Sequence, residues 1–476
     1  MFVPSESGAF TAAEGRVNSA YVWAISLTGA LGGLLFGYDW VVIGGAKPFY
    51  EKFFGLTSAS QQGWAMSCAL IGCLVGAMLS GGLSDRLGRK LPLVLAACVF
   101  AASSLGTALA DSFSAFVAWR MMGGLAIGMA SNLSPMYIAE LAPAHLRGKL
   151  VSLNQLTVVV GILLAQVANW LIAKPVAPGA TAADILQSWN GQVGWRWMFG
   201  VTAIPSALFF GAMCFAPESP RWLMAKGRTE RAEAVLERIG GPVYSRAVSK
   251  EIQSANAAQA PRTTLGDTLR VLAERRVMRI LALGILLAVL QQWCGINVIF
   301  NYAEEVFSAA GYQVSDILFN IVLTGTVNLV FTLIALGTVD RYGRRILVLA
   351  GSAGLAVIYT LLGILYHAHS HGVHMLLLVV AAIACYAMTL APITWVVIAE
   401  IFPGRIRAAG MSIAVTSLWS ACFLLTYTFP LLNHALGAAG TFWIYASICA
   451  LGFVYLYARL PETRNQSLEA IEKIWE

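Results

Sequence analysis

Asp39 is the only charged residue between Arg16 and Lys47, and Arg120 the only one between Asp111 and Glu140. Each stands in an apolar stretch, where an ionised side chain costs roughly 2.5–3.5 kcal/mol by membrane-insertion scales. A carboxyl group isolated in this way can take up and release a proton as its surroundings change. The plainer alternative is a permanent ion pair that only fixes helix packing, although buried pairs are poor stabilisers. A second set of residues carries different chemistry. Gln291, Gln292, Asn297 and Asn301 share one apolar stretch, Asn328 lies in the next, and Gln155 and Gln166 stand eleven residues apart in an earlier one. Carboxamides donate and accept hydrogen bonds without charge, which suits a neutral ligand rich in hydroxyls. Trp395 and Trp419 add rings able to stack on its C–H faces. Each amide alone serves an interhelical hydrogen bond equally well, so the cluster carries the inference.

These residues need elements to position them, and composition says which. Of 476 residues 58% are apolar and 12% charged, with a mean hydropathy of +0.71. A soluble protein carries roughly 25% charged residues, so this chain uses lipid as its solvent. Apolar stretches long enough to cross a bilayer fall near 21–46, 62–83, 91–110, 114–140, 151–173, 195–216, 277–304, 315–339, 346–366, 373–400, 411–432 and 440–459. The expected fold is an all-α membrane protein of twelve spans. Asp39 and Arg120 both fall about 12–14 Å from the outer boundary at 1.5 Å per residue, so they can meet. Asn297 and Asn301 share a helix face that Gln291 and Gln292 do not. A break at Gly295 would bring the four to a common cavity. Glycines such as Gly124 and Gly128 let spans approach closely.

An even number of spans puts both termini on one side. Placing that side in the cytoplasm leaves only Lys47, Lys52, Lys174 and Arg196 outside and Arg120 within a span, of 31 Lys and Arg. The net charge of +7 then follows from topology, with no call for a nucleic-acid partner. The eight cysteines lie in apolar stretches without metal-ligand spacing, and no removable signal peptide is evident. Residues 217–276 read as a linker of short amphipathic helices. His367, His369, His371 and His374 read as a solvated outer loop.

Three motifs recur in order roughly 250 residues further on. Asp85-Arg-Leu-Gly-Arg-Lys90 returns as Asp340-Arg-Tyr-Gly-Arg-Arg345, Ala139-Glu-Leu-Ala-Pro143 as Ala399-Glu-Ile-Phe-Pro403, and Pro217-Glu-Ser219 as Pro461-Glu-Thr463. The chain is therefore two related halves of six spans, an architecture that places substrate at the midplane between them. The expected units are 18–216, 217–276, 277–460 and a tail at 461–476. The repeated motifs sit at expected cytoplasmic span ends and mix acids with arginines. Asp85, Arg89, Glu140, Arg147 and Glu218, with Asp340, Arg344, Glu400, Arg407 and Glu462, are expected to form a cytoplasmic gate of ion pairs across the halves. Topology signals alone would also place such charges there.

With these motifs, Pro217-Glu-Ser-Pro-Arg-Trp-Leu223 and Gln291-Gln-Trp-Cys-Gly-Ile-Asn297, the chain resembles the sugar porter family of the major facilitator superfamily over nearly its whole length. Phe36-Gly-Tyr-Asp39 and Ser134-Pro-Met-Tyr-Ile-Ala-Glu140 are most similar to bacterial xylose:proton symporters and their relatives. The resemblance implies that Asp39 couples a proton and that Arg120 tunes it. It also implies that Gln155, Gln291, Gln292, Asn297, Asn328, Trp395 and Trp419 occupy sugar-binding positions. Two departures fall in the site: Asn301-Tyr302 stands where relatives usually have two tyrosines, and Leu418 where xylose-type relatives have a polar residue.

The expectation is a proton-coupled carrier of a neutral monosaccharide, working without a cofactor or metal, as a monomer in the plasma membrane, a bacterial inner membrane by family likeness. The rivals are a facilitative uniporter with a structural Asp39 and a non-transporting sugar sensor. A membrane enzyme is disfavoured, because the spans hold no nucleophile and base pair.

Overall fold

The computed structural model describes residues 17–177, 179–258, 274–370, 372–402 and 407–462, and these are helical with no strand among them. Continuous helix satisfies every backbone N–H and C=O within the segment, as a lipid environment demands. Spans 1 to 6 are Ser19–Phe53, Ala59–Leu87, Lys90–Ala108, Phe113–Leu141, Ala144–Ile172 and Asn190–Phe215. Spans 7 to 10 are Arg275–Asn301, Asp316–Thr338, Arg344–His367 and Val373–Ile398. The last apolar helix, Ala409–Arg459, breaks at Gly437, whose φ of 67° and ψ of 176° are not helical. It supplies spans 11 and 12, so the expected twelve are present.

Polar caps start several spans. Ser58 and Gln61 form a reciprocal capping box before span 2, and the Ser112 side chain accepts from the Ala115 amide before span 4. Within the first half, Gly72 and Gly76 of span 2 lie against the Met121 and Leu125 carbonyls of span 4. Gly124 and Gly128 return the contact on Ala69 and Cys73. Any side chain at these positions would force the two backbones apart.

The halves meet where span 2 faces span 11 and span 5 faces span 8. The Ser60 and Tyr427 hydroxyls lie 2.9 Å apart, Trp64 packs edge-on against Phe423, and Trp170 packs against Phe319. The carboxamide of Gln166 fills the space left by Gly325. By chain direction these contacts lie toward the end of the bundle opposite the termini.

At the terminal end, residues 217–258 form two helices, Pro220–Ala225 and Thr229–Ala258, the latter interrupted at Gly241. Ala232, Leu236 and Ile239, spaced along one helical face, are buried. The Ile239 carbonyl accepts from the Asn18 amide at 2.7 Å, tying the linker to the start of span 1. The remainder of the expected linker, 259–273, and the tail beyond Glu462 lie outside the described residues, as does His371.

Candidate functional site

Span 1 carries Asp39 to the centre of the first half because Gly37 lets its backbone rest on span 5 at Val158. Span 4 brings Arg120 to the same depth. Arg120 Nη1 donates to Asp39 Oδ1 at 2.5 Å, with the two side chains 5% and 8% exposed. The face of Phe199 lies 5.4 Å from the guanidinium, and Arg120 Nε has no hydrogen-bond partner. The expected meeting takes place. Beside the pair lies a small cavity lined by Asp39, Trp40, Met66, Cys73, Arg120 and Asn301. Asn301 belongs to the other half, so the acid of one half and an amide of the other border one space.

Gly295, with φ 85°, ends the first helix of span 7 at Trp293 and restarts it at Ile296. A left-handed residue breaks the 100° step that separated the amides. Gln292 Nε2 then donates to Gln291 Oε1 at 2.6 Å, Asn297 Nδ2 donates to Gln292 Oε1, and Gln291 Nε2 donates to the Tyr386 hydroxyl at 2.7 Å. All three amides are buried, with the chain of donors ending on span 10. Asn301 is buried with its Oδ1 unpartnered, Asn328 is buried in span 8, and Gln155 is half-buried in span 5.

The two tryptophans differ. Trp419 is buried with its Nε1 unpartnered, and its ring lies edge-on to Phe36 at 5.8 Å and near Trp40 at 6.1 Å. Trp395 is 38% exposed and stands apart from that aromatic group. Trp40 and Tyr386 are no part of the sequence expectation, and Phe36 enters it only within the Phe36-Gly-Tyr-Asp39 motif. Adjacency of Trp40 to Asp39, and the need of an intramembrane tyrosine hydroxyl for a partner, were the available signals.

The gate residues occupy equivalent places in the two halves. Glu218 accepts from the Arg89 amide at 2.9 Å and the Lys90 amide at 3.2 Å, while Glu462 accepts from Arg344 at 3.0 Å and Arg345 at 3.1 Å. Each carboxylate thus satisfies the first N–H groups of span 3 or span 9, where the helix dipole favours negative charge. Arg89 pairs with Glu140 at 2.9 Å and Arg344 with Glu400 at 3.5 Å. Ser219 also donates to Glu140. Asp85 accepts the Trp222 indole N–H at its carbonyl, and Arg147 Nε is buried without a partner. The Asp340 and Arg407 side chains lie outside the described residues. Among the described residues these pairs close within each half, where the loops turn back at Gly88 and Gly343 onto the end of their own bundle.

Lys47 lies at the end of span 1 away from the N-terminus. Assigned by charge counting to an outer segment, it continues the helix of span 1 and is 2% exposed. It pairs with Glu51 at 3.2 Å, Glu304 at 3.4 Å and, more closely still, Glu305. The two partners from the second half are more than 250 residues away in the chain, so no local pattern reveals them.

A duplicated twelve-helix bundle with a broken seventh span, an interior acid and guanidinium pair, and a line of buried amides is the architecture of a major facilitator transporter. Residues 25–475 match the family described as Sugar (and other) transporter, and the chain belongs to that family: it is a sugar-porter membrane transporter, not an enzyme. It is 36% identical to the D-xylose-proton symporter of Escherichia coli K12, covering 97% of each chain. It is 38% identical to the arabinose-proton symporter of Bacillus subtilis 168, covering 96% of each. With the galactose-proton symporter of E. coli K12 it shares 36% identity, over 97% of this chain and 96% of the relative. Among solved structures it superposes on the inward-open xylose transporter XylE of E. coli with a TM-score of 0.82 and 34% identity, over 96% of this chain and all of that one. With XylE bound to 6-bromo-6-deoxy-D-glucose the TM-score is 0.78 at 36% identity, over the same shares.

Proposed function

We propose that the protein takes a neutral monosaccharide, a pentose or hexose, into the cytoplasm together with a proton by alternating access. In this reading it lies in the plasma membrane, a bacterial inner membrane, with both termini cytoplasmic, and works as a monomer. The observation that carries the reading is the buried Asp39 and Arg120 pair bordering a cavity that reaches Asn301 of the other half.

The mechanism follows from charge and geometry. With the outer face open, Asp39 accepts a proton and loses its charge, and the hold of Arg120 on it weakens. Sugar hydroxyls exchange for the mutual hydrogen bonds of Gln291, Gln292 and Asn297, with Asn301, Asn328 and Gln155 completing the polar surface. Trp419 and Trp395 supply apolar faces for the ring. The halves then rock about the bound sugar, the outer contacts form, and the inner face opens. Asp85, Arg89, Glu140, Arg147, Glu218, Asp340, Arg344, Glu400, Arg407 and Glu462 act at the inner ends, shaping the surfaces that meet when that face closes. The likeness to symporters of xylose, arabinose and galactose with a proton supports the substrate class.

Uptake into sealed proteoliposomes tests the reading. An imposed inward proton gradient should drive saturable accumulation of at least one of xylose, arabinose, galactose and glucose. Asp39→Asn should abolish accumulation while sparing exchange across the membrane. Accumulation that survives Asp39→Asn removes the coupling role, and the absence of flux for every sugar removes the transport reading.

A further inference from the structure

Lys47 lies two helical turns beyond Asp39 and is as enclosed as the central pair, with its side chain 3% exposed. Glu51, on the same helix, faces it at 3.2 Å. Glu304 at 3.4 Å and Glu305, in closer contact, reach it from the short helix Ala303–Ala309 of the second half. Tyr50 of span 1 packs beside the group, and the Tyr302 ring lies 5.8 Å from the ammonium, with its hydroxyl donating to the Thr426 carbonyl at 2.6 Å. Just below, Gly44 admits the Phe300 and Asn301 carbonyls where any side chain would collide. Span 1 and the second half are therefore in backbone contact beneath a buried charge cluster.

The Lys47 ammonium among three carboxyl groups, with Lys52 acting more weakly on Glu51, leaves a surplus of negative charge if all are ionised, in a site whose side chains are 3–24% exposed. Carboxylates this close and this enclosed do not all ionise together, and protons balance the excess. We propose that Lys47, Glu51, Glu304 and Glu305 form a proton-loaded clasp that holds the two halves shut at the end opposite the termini, and that this face opens only when the clasp parts. The proposal rests on the alternating-access reading, in which that end must open in each cycle.

Burial, countered by Lys47 and reinforced by Glu304 and Glu51, pushes the Glu305 carboxyl up to about 7. Parted and hydrated, the group returns to the ordinary carboxylate value of about 4.3. The shut state therefore binds the proton more tightly, so acid at that face favours closure and a rise in pH toward 7 favours parting.

Full-length protein in lipid nanodiscs tests this, with spin labels at the exposed Thr57 and Ser308 and with the exposed Cys98 and Cys214 changed to serine. A short distance should dominate at pH 5.5 and a longer one should grow toward pH 8. Lys47→Met should raise the long-distance population roughly tenfold at pH 5.5, since it removes the ammonium that contacts all three carboxyl groups. Glu305→Gln should keep the short distance and flatten its pH dependence. Retained sugar binding by calorimetry shows that each variant is folded, and Glu304→Gln with Glu305→Gln serves if Lys47→Met is not. Unchanged distances in Lys47→Met, an unaltered pH profile in Glu305→Gln, or in its place in the double variant, overturn the clasp. Normal distance changes without proton-driven uptake would instead overturn symport and leave the clasp standing.

Discussion

Arg120 Nη1 and Asp39 Oδ1 stand 2.5 Å apart, joining spans 4 and 1 across 81 residues of chain, and both side chains are almost wholly withdrawn from solvent. The pair is not sealed into a core. It borders the cavity that Asn301 enters from the opposite half, so movement between the halves changes the surroundings of the charge. A proton-coupling role requires such a setting, and the following measurements test that role against a purely structural one.

Arg120→Leu leaves the Asp39 carboxylate buried without its partner, which should cost about 3–5 kcal/mol of stability at neutral pH. Neutralising the acid should recover most of the loss, so the double variant Arg120→Leu with Asp39→Asn should unfold at nearly the wild-type temperature. Thermal unfolding in detergent at pH 5 and pH 8 checks both. Equal destabilisation of the single and double variants would show that packing, not charge, dominates.

Gln292→Ala removes both the donor to Gln291 and the acceptor for Asn297. Buried amides left unpaired cost about 1–3 kcal/mol each, and a sugar would lose a partner, so binding should weaken by about one to two orders of magnitude. Calorimetry with the transported sugar measures it, and Asn328→Ala gives a comparison on span 8. An unchanged dissociation constant would place the cargo elsewhere.

Gly295→Ala places a side chain at φ 85°, in the left-handed region that costs L-residues about 1–2 kcal/mol, and aims it at the Tyr445 ring. The expected result is a lower unfolding temperature together with a larger loss of sugar binding, because the break aligns Gln292 with Asn297. Loss of stability with binding intact would dissociate the break from the amide array.

The capping role of the repeated glutamates predicts a symmetry. Glu218→Ala and Glu462→Ala should each cost about 0.5–2 kcal/mol, the range for a lost helix cap, and their effects should add. Chemical or thermal unfolding of the two singles and the double decides it. A large departure from additivity would show the two halves to be linked through these loops.

Much of the fold is legible in one dimension. Lipid penalises each uncompensated polar group, so span positions, the duplicated half and the two lone interior charges are visible as departures from an apolar background. Gly295 is readable for a related reason: amides on incompatible helix faces need a break between them. Trp395 and Trp419, by contrast, look equivalent in the sequence, yet one is locked among Phe36 and Trp40 and the other stands open.

Sequence alone thus determined the twelve spans, the repeat, the isolation of Asp39 and Arg120 and the neutral character of the interior amides, because these depend on residue type and local spacing in a medium that tolerates few polar groups. Tertiary structure decided which groups share a space. It put Asn301 beside the acid, seated Glu218 and Glu462 on the helix ends of their own halves, and enclosed Lys47 among carboxylates from both halves. Such contacts arise from how whole helices pack. Coulomb and hydrogen-bond energies act over a few ångströms in space whatever the separation along the chain.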